Sequence, residues 1–532
     1  MSIPAFNINL FNIMGKANVD PGKRAFTFVN ADGSDESITY QDLFENSNRV
    51  ANILKKNGVG RGDTFVLMMR NHPEFLYALI AATTIGAVAV PIDPRIRGAK
   101  LKFMVNDSKA RVAIITDEFL KPMLEVLPDV AHLKIIGVAY KPHHKIPINP
   151  AYPALRELFA QASLDPPDGF ITNEVAIPCQ IIFTSGTTGD PKGVVLKADR
   201  LFVYGALGSI AWNYQPDDIP YTGLSLAHGN AQAVTIFPAF AKAIPAVLSE
   251  KFTKSKIWEL CRKYGCTTFS LLGGMMSGIY NEPERPDDAD NPVKKVISAG
   301  TPRAIWEPFE KRFKLKIHEW YGAVEGGLAH NPPGSAPIGS FGKPLALFME
   351  MKVVDEADKQ CPPFVQGELI SKMKGSKTEV QYLGKEKESA EKTRGGWLRS
   401  GDICHTDENG NFYFDFRKGT ELRRHGDFIQ PDYVEKAIGE HPDVSEVCVY
   451  GIPAQTGAPG ESDLVAAITL FPGKKLDLES IKSACKKQLE PNSIPSWLQL
   501  VEEMPKSASE KILDRELRDK FRPGAKNIFK LG

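Results

Sequence analysis

Along the first three-quarters of the chain, short apolar runs alternate with longer amphipathic stretches. FVLMMR (65–70), AVAVPI (87–92), ARVAII (110–115) and LKIIGVA (133–139) are continuous apolar runs bounded by polar residues, and they read as buried strands. HPEFLYALIAATTIG (72–86) has helical length and ends on a glycine that can stop it. The rhythm returns in KAIPAVLS (242–249), KSKIWELCRKYG (254–265), TTFSLLGG (267–274), KKVISAG (294–300), IWEPFEKRFK (305–314) and KIHEWYG (316–322). Such alternation predicts α/β layers. PHHKIPINPAYP (142–153) and DPPDGF (165–170) predict surface links, and NEPERPDDADNP (281–292) an exposed polar loop.

Past residue 400 the elements shorten. GDICHTDENGNFYFDFR (401–417) predicts a hairpin turning at DENGN. YVEKAIGEHP (433–442), LESIKSACKKQL (478–489) and KILDRELRDKF (511–521) predict helices, while SEVCVYGI (445–452) and LVAAITL (464–470) predict strands. The expected fold is therefore α/β. A large N-terminal region of several subdomains (1–419), built of layered sheets and helices, would precede a small α+β C-terminal domain (420–532). A length of 532 residues requires more than one core in any case.

Charge narrows the function. Lysine plus arginine number 65 and aspartate plus glutamate 64, so a net charge of +1 gives no electrostatic case for nucleic acid or an anionic membrane. No apolar run reaches transmembrane length, and MSIPAFNINLF has neither a basic leader nor a long apolar core. Seven scattered cysteines without a C-x-x-C pair predict reduced thiols, and with them a cytoplasmic protein.

Three clusters carry candidate chemistry. In IIFTSGTTGDPKGVV (181–195) a strand feeds hydroxyls, glycines and a lysine, which suits either a phosphate loop or a plain connection; the spacing is not that of a Walker A loop. In WYGAVEGG (320–327) a glutamate at a strand end can hold Mg²⁺ or stand as a solvated acid. GWLRSGD (396–402) places Asp402 in a turn, as an acceptor for ribose hydroxyls or as a turn residue. Lys511 is predicted at the start of the last helix.

Taken in order with DENGN, FRKG, HGDFIQPDYVE and PKSASEK, these clusters resemble the AMP-forming acyl-CoA synthetase family of adenylate-forming enzymes. The resemblance covers nearly the whole chain and begins at SITYQDL (37–43). It implies a large N-terminal region, a mobile C-terminal domain, and use of ATP, Mg²⁺ and coenzyme A. It also implies roles. Thr184, Ser185, Gly186, Thr187, Thr188, Gly189 and Lys192 would wrap the β- and γ-phosphates. Glu325 would hold Mg²⁺, Tyr321 and Gly322 would line the adenine and acyl-adenylate, and Gly300 and Thr301 would form an adenine-side wall. Asp402 would bind ribose, Arg417 ribose or phosphate, and Lys511 would catalyse adenylation, with Gly426 facing the nucleotide and thioester tunnel. His228, with Gly229, Gly274 and Met275, would line the acyl pocket.

The expected activity is ATP-dependent acyl-CoA ligation: a carboxylic acid becomes an acyl-AMP and then a thioester. The alternatives are an adenylation enzyme loading a carrier protein and a degenerate nucleotide- or acyl-binding relative. The absence of a carrier domain after Lys511 favours a free-standing ligase, and a homodimer is left open. Four positions depart from the family pattern: Val324 replaces a threonine, Thr420 a hinge aspartate, Arg423 a lysine and Glu510 a glycine. The segment around His228 is similar to that of carnitine/crotonobetaine–CoA ligases, while branched, alicyclic, aromatic and medium-chain acids stay open as substrates.

Overall fold

A computed structural model describes residues 16, 18–130, 132–171, 174–184, 191–375, 377–418, 422–424, 427–454, 462–507 and 510–531. By contact the chain forms two units: Met1–Ser270, Pro292–Ile297 and Glu379–Thr393 make the first, and Leu271–Asn291, Ser298–Thr378 and Arg394–Gly532 the second.

The strands of unit 1, in chain order, are β1 (Arg24–Val29), β2 (Asp35–Thr39), β3 (Thr64–Met68), β4 (Val88–Pro91), β5 (Val112–Thr116), β6 (Lys134–Ala139), β7 (Pro178–Thr184), β8 (Lys192–Lys197), β9 (Pro220–Thr222) and β10 (Ala246–Ser249). The chain then passes into unit 2 within β11 (Thr268–Leu272). One sheet runs β6-β5-β3-β4-β7-β8, parallel except for the β7–β8 pair. Its central strands are buried along their length, which is why they read as unbroken apolar runs rather than alternating ones. Val66, Met68, Val90, Ile92, Ala113 and Ile115 pack there with Leu101, Met104 and Val105. In the second sheet β2 is antiparallel to β1, and β1, β10 and β9 are parallel neighbours.

Two local signals set helices in this unit. Thr39 and Asp42 close a capping box, since the Asp42 N–H donates to Thr39 Oγ1 at 3.1 Å and the Thr39 N–H donates to Asp42 Oδ2 at 2.8 Å. That gives the SITYQDL element a structural reason. The Pro73–Ile85 helix is buried on nearly every face and stops at Gly86, whose φ of +69° is open to glycine at little cost.

The chain re-enters unit 2 within β12 (Lys295–Ala299), and there β13 (Lys316–Ala323) and β14 (Gly326–Asn331) form a hairpin with β15 (Lys343–Pro344) beside it. Next, β16 (Met349–Val354), β17 (Gly367–Met373), β18 (Leu398–Thr406) and β19 (Phe412–Arg417) make an antiparallel sheet. The ribbon β20 (Leu422–Arg424) and β21 (Asp427–Ile429) leads to a last sheet, ordered β22 (Val444–Pro453), β23 (Ser462–Leu470), β24 (Trp497–Leu500), β25 (Ile528–Lys530). Leu464, Ala466 and Ile468 of β23 face the Pro431–Gly439 and Leu478–Gln488 helices. Val465 and Ala467 face Leu517 and Phe521 on the opposite side. Covered on both faces, β23 has no polar alternation. The fold is α/β, with a large N-terminal region of sheets and helices and a smaller C-terminal α+β region.

Several expectations need correction. Asp402 is not in a turn: it lies inside β18, opposite Arg417 of β19, just after Gly401, whose φ of +78° goes with a register shift along the β17–β18 pair. Lys511 precedes the last helix, which spans Asp514–Lys520. The glycines ending TTFSLLGG leave the strand and open the Gly273–Tyr280 helix. The 142–153 link is not all surface, because the side chains of His143 and His144 are 6% and 9% exposed. Nor is 281–292 simply solvated: Arg312 donates to Asp288 and to the carbonyls of Glu282 and Pro283. Periodicity cannot see such distant partners. All seven cysteines are buried and free of disulfides.

Among the described glycines of unit 2, Gly273 marks the tightest approach. A Cβ there would lie 1.9 Å from the Gly300 carbonyl oxygen, so only glycine lets the helix start against that turn. Gly273→Ala should therefore lower stability by about 1–3 kcal/mol. Gly439→Ala, whose Cβ would have its nearest neighbour at 3.6 Å, should be neutral or stabilising when both variants are compared by thermal unfolding.

Candidate functional site

Each unit carries part of the expected site. In unit 1, Thr184 ends β7 and Lys192 begins β8; they are paired in register, and Thr184 Oγ1 lies 3.4 Å from the Lys192 carbonyl oxygen. The half-buried Lys192 ammonium stands 5.4 Å from the centre of the Tyr382 ring. Ser185, Gly186, Thr187, Thr188 and Gly189 lie outside the described residues. The β7–β8 pair thus brings together the two ends of the expected phosphate loop.

His228, also in unit 1, is half-buried, and its Nε2 sits 2.8 Å from Asp93 Oδ2. Burial works against the Asp93 carboxylate, yet the His228 contact and the Arg95 N–H hold it below the usual carboxylate range. Gly229 follows at the entry to a π-helix, Ala231–Ile236. Such bulges favour functional places because they displace side chains from the regular helical path.

Unit 2 gathers the remaining residues. The Tyr321 hydroxyl donates to Asp402 Oδ2 at 2.5 Å, and Arg417 Nη1 lies 3.5 Å from Asp402 Oδ1. Asp402 is buried, while Arg417 is exposed. Burial and the adjacent Asp402 charge push the Tyr321 phenol well up, so it stays a donor. The Tyr321 ring stacks on Phe341 at 4.8 Å between centroids. The Arg417 N–H donates to Asp432 Oδ2 at 2.9 Å; burial raises that carboxyl, and the charges of Arg417 and Lys511 oppose the rise. Asp432 thus feels the charges of Asp402, Arg417 and Lys511.

Lys511 is exposed, and its backbone is tied to Ser507. The Ser507 N–H donates to the Lys511 carbonyl at 2.7 Å, and the Lys511 N–H to Ser507 Oγ at 3.2 Å. Glu510 has a φ of +58°, the left-handed region where a side chain is unfavourable, which gives a physical reason for glycine at this position. Glu325 occupies the turn between β13 and β14, half-buried and followed by Gly326 and Gly327 at φ +144° and +84°. A carboxylate in a glycine-lined turn fits the hard-oxygen preference of Mg²⁺. Gly322 and Gly300 are exposed, Met275 is buried at 1% exposure, and Gly426 lies outside the described residues.

The model for AMP-binding enzymes matches residues 15–377, and the model for their C-terminal domain matches residues 433–511. This chain belongs to the AMP-binding enzyme family. It is 26% identical over 514 residues to the crotonobetaine/carnitine–CoA ligase of Salmonella enteritidis, covering 94% of this chain and 97% of that one. The protein of the same name from Proteus mirabilis is 26% identical over 510 residues, with the same coverage of 94% and 97%. In fold, the chain matches the anthranilate CoA ligase AuaEII solved with anthranoyl-AMP (TM-score 0.83, 23% identity, 97% of each chain). It matches a benzoate CoA ligase from Burkholderia xenovorans equally well (TM-score 0.83, 23% identity, 96% of this chain and 100% of that one). The general chemistry of the family is ATP-dependent acyl-adenylate formation from a small carboxylic acid. Among the described residues no helix is long and apolar enough to cross a membrane.

Sequence reasoning missed three residues of this AMP-binding enzyme. Asp93, the partner of His228, follows a buried strand in PIDPR, a place where a bare carboxylate needs a reason. Lys506 donates to the Gly274 carbonyl at 3.3 Å and pairs with Glu446. Glu319 is buried in β13 and accepts from the Gly300 N–H at 2.6 Å and the Thr301 N–H at 3.2 Å. Its signal was an acid inside KIHEWY, a stretch otherwise suited to a core strand.

Burial pushes the Glu319 carboxyl up to about 7, against the pull of those N–H groups. From 4.5, its ordinary value, to about 7 the folded state keeps a proton that the unfolded state has lost. Stability should therefore fall as pH rises through this window and level off above it, by on the order of 3 kcal/mol at most. Glu435, raised by burial and Asp432 to about 8, acts in the same direction. Thermal midpoints measured across this range should show a smaller slope in Glu319→Gln, with the remainder due to Glu435.

Proposed function

We propose that this AMP-binding enzyme is an AMP-forming acid–thiol ligase that passes its acyl group to coenzyme A. The observation that carries the reading is the Tyr321–Asp402–Arg417 group, a buried carboxylate oriented by a phenol and an arginine. The near-full-length likeness to proteins named as CoA ligases supports thioester formation as the second half-reaction.

In the first half-reaction a substrate carboxylate oxygen attacks the α-phosphorus of ATP. A new O–P bond forms, the bond to the bridging oxygen breaks, and pyrophosphate leaves with that electron pair. Charge builds on the phosphoryl oxygens, and Lys511 would stabilise it between carboxylate and α-phosphate. Thr184, Lys192 and the five residues between 184 and 190 assigned with them would hold the β- and γ-phosphates, and Asp402 would accept from the ribose hydroxyls. Mg²⁺, held through Glu325, would offset phosphate charge when bound.

In the second half-reaction the thiol of coenzyme A attacks the adenylate carbonyl. A C–S bond forms, the C–O bond to phosphate breaks, AMP leaves and the thiol proton passes to solvent. No protein thiol takes part, and burial pushes Cys179, Cys404 and Cys448 away from the thiolate form. His228, tied to Asp93, would serve with Gly229 as a wall of the acyl pocket. Residues 420–532 would turn on the 417–424 segment between the half-reactions, excluding water from the adenylate.

The test measures pyrophosphate, AMP and thioester formation with short, medium-chain, aromatic and betaine carboxylates, with and without coenzyme A. One acid class yielding thioester and AMP only with coenzyme A is expected. Pyrophosphate without thioester would move the assignment to carrier loading, and silence across the panel with intact ATP binding to a degenerate relative. Lys511→Ala should abolish acyl-AMP formation while largely sparing thioester formation from supplied acyl-AMP. Equal loss of both would remove its assigned role.

A further inference from the structure

Unit 1 contains a second polar cluster that the proposed reaction does not use. Arg70 and His72 follow β3, Asp117 and Glu118 follow β5, and His143 and His144 follow β6, so these groups leave the carboxyl ends of strands that are parallel in one sheet. Glu250 follows β10 of the other sheet. One donor atom each from His72, Glu118, His144 and Glu250 lies within 4.8 Å of all the others.

His72 is the anomaly. Its ring is fully buried, at 0% exposure, and neither ring nitrogen has a hydrogen-bond partner among the described residues. Leaving a buried polar atom unsatisfied costs about 1–3 kcal/mol, so a native structure with an orphaned imidazole points to a missing partner. Burial, helped by the nearby Lys141 charge, keeps this ring neutral, the form that binds metals.

The neighbouring groups are arranged as supports for metal ligands. His144 Nδ1 meets Asp117 Oδ1 at 2.5 Å, which turns Nε2 toward Glu250 Oε1 at 3.3 Å and Glu118 Oε1 at 4.0 Å. A carboxylate on one ring nitrogen with the other left to ligate is how metal-bound histidines are fixed. Glu250 Oε2 is held by the Ala31 N–H at 2.8 Å and by His143 Nε2 at 3.0 Å, which leaves Oε1 facing the cluster. Charge points the same way. Asp117, Glu118 and Glu250 bring three negative charges against one positive, Arg70, whose Nε is 2.9 Å from Glu118 and 3.8 Å from Glu250. Lys141 is occupied by Glu74 at 2.8 Å, so carboxylates outnumber the fixed cations here; burial opposes protonation of His144, yet its contacts with Asp117 and Glu250 raise it, and a metal at this ring would take the place of that proton.

We propose that His72, Glu118, His144 and Glu250 bind a divalent first-row transition metal, Zn²⁺ by preference, in a structural site of unit 1. Two imidazoles and two carboxylates suit Zn²⁺ better than Mg²⁺, which takes oxygen ligands and keeps its waters. Four protein ligands fill a tetrahedral shell, which is the mark of a structural rather than a catalytic zinc. Bonds of about 2.0–2.2 Å require the cluster to contract and Glu118 to swing from Arg70 onto the metal. The metal would then link loops from both sheets of unit 1. Asn71, beside His72, already donates to the Leu224 and Ser249 carbonyls at 2.9 Å and accepts from the Leu226 N–H at 2.9 Å, which ties these loops to the chain leading into His228.

The test uses full-length, nucleotide-free protein stripped with a chelator and titrated with Zn²⁺ against a competing chromophoric chelator. Co²⁺ replacement provides a ligand-field spectrum. One equivalent per chain, a four-coordinate Co²⁺ spectrum and a higher thermal midpoint on Zn²⁺ addition are expected. Glu118→Gln, at a half-exposed position that should fold normally, and His72→Gln should each weaken binding at least tenfold. Glu325→Gln should leave it unchanged, which separates this site from the proposed Mg²⁺ position. Absence of stoichiometric metal, or equal affinity in the Glu118 and His72 variants, would overturn the proposal whatever the outcome of the acyl-transfer assays.

Discussion

A buried carboxylate, Glu319, fixes the part of unit 2 on which the candidate site is built. By accepting from the Gly300 and Thr301 N–H groups, it holds the turn after β12 against β13. That turn is where the Gly273–Tyr280 helix starts, so close that no Cβ fits. Tyr321 lies two residues further along β13, on the same side of the strand as Glu319. Its hydroxyl therefore reaches Asp402 from a backbone already fixed by the Glu319 contact. The interaction is strong because it is dry, and for the same reason Glu319 resists ionisation.

Asp402 is positioned by a different constraint. Gly401 lets β18 shift register, and Asp402 then pairs across the ladder with Arg417. The carboxylate meets a phenol on one oxygen and a guanidinium on the other, an arrangement suited to receiving hydroxyl donors. The Lys511 loop is less settled by its own sequence. Glu510 occupies left-handed backbone that glycine would fill without strain, so local preference and the required turn disagree there. Such disagreement is expected where function, rather than stability, selects the geometry.

The histidine–carboxylate cluster of unit 1 belongs to another order of explanation. It joins the carboxyl ends of β3, β5 and β6 to the loop after β10, using residues spread from position 70 to position 250. The proposed acyl transfer has no use for it, and a fully buried imidazole with no hydrogen-bond partner among the described residues makes little sense as packing alone. A bound divalent cation would account for the geometry and for the excess of carboxylates over fixed cations.

The sequence by itself determined what depends on neighbours along the chain. Apolar runs marked the buried strands, glycines at 86 and 265 stopped helices, and DENGN turned the β18–β19 hairpin. Motif order marked Thr184, Lys192, Glu325, Asp402 and Lys511 as candidate site residues, through a resemblance that runs along nearly the whole chain. What depends on distant partners was decided only by tertiary structure. The strand setting of Asp402, the Asp93 carboxylate behind His228, the Glu319 clasp on Gly300, and the inward turn of His143 and His144 all involve segments well separated in sequence. Periodicity and turn chemistry report local backbone preference. Buried polar contacts are set by which loops the packed sheets bring together, and no local pattern encodes that meeting.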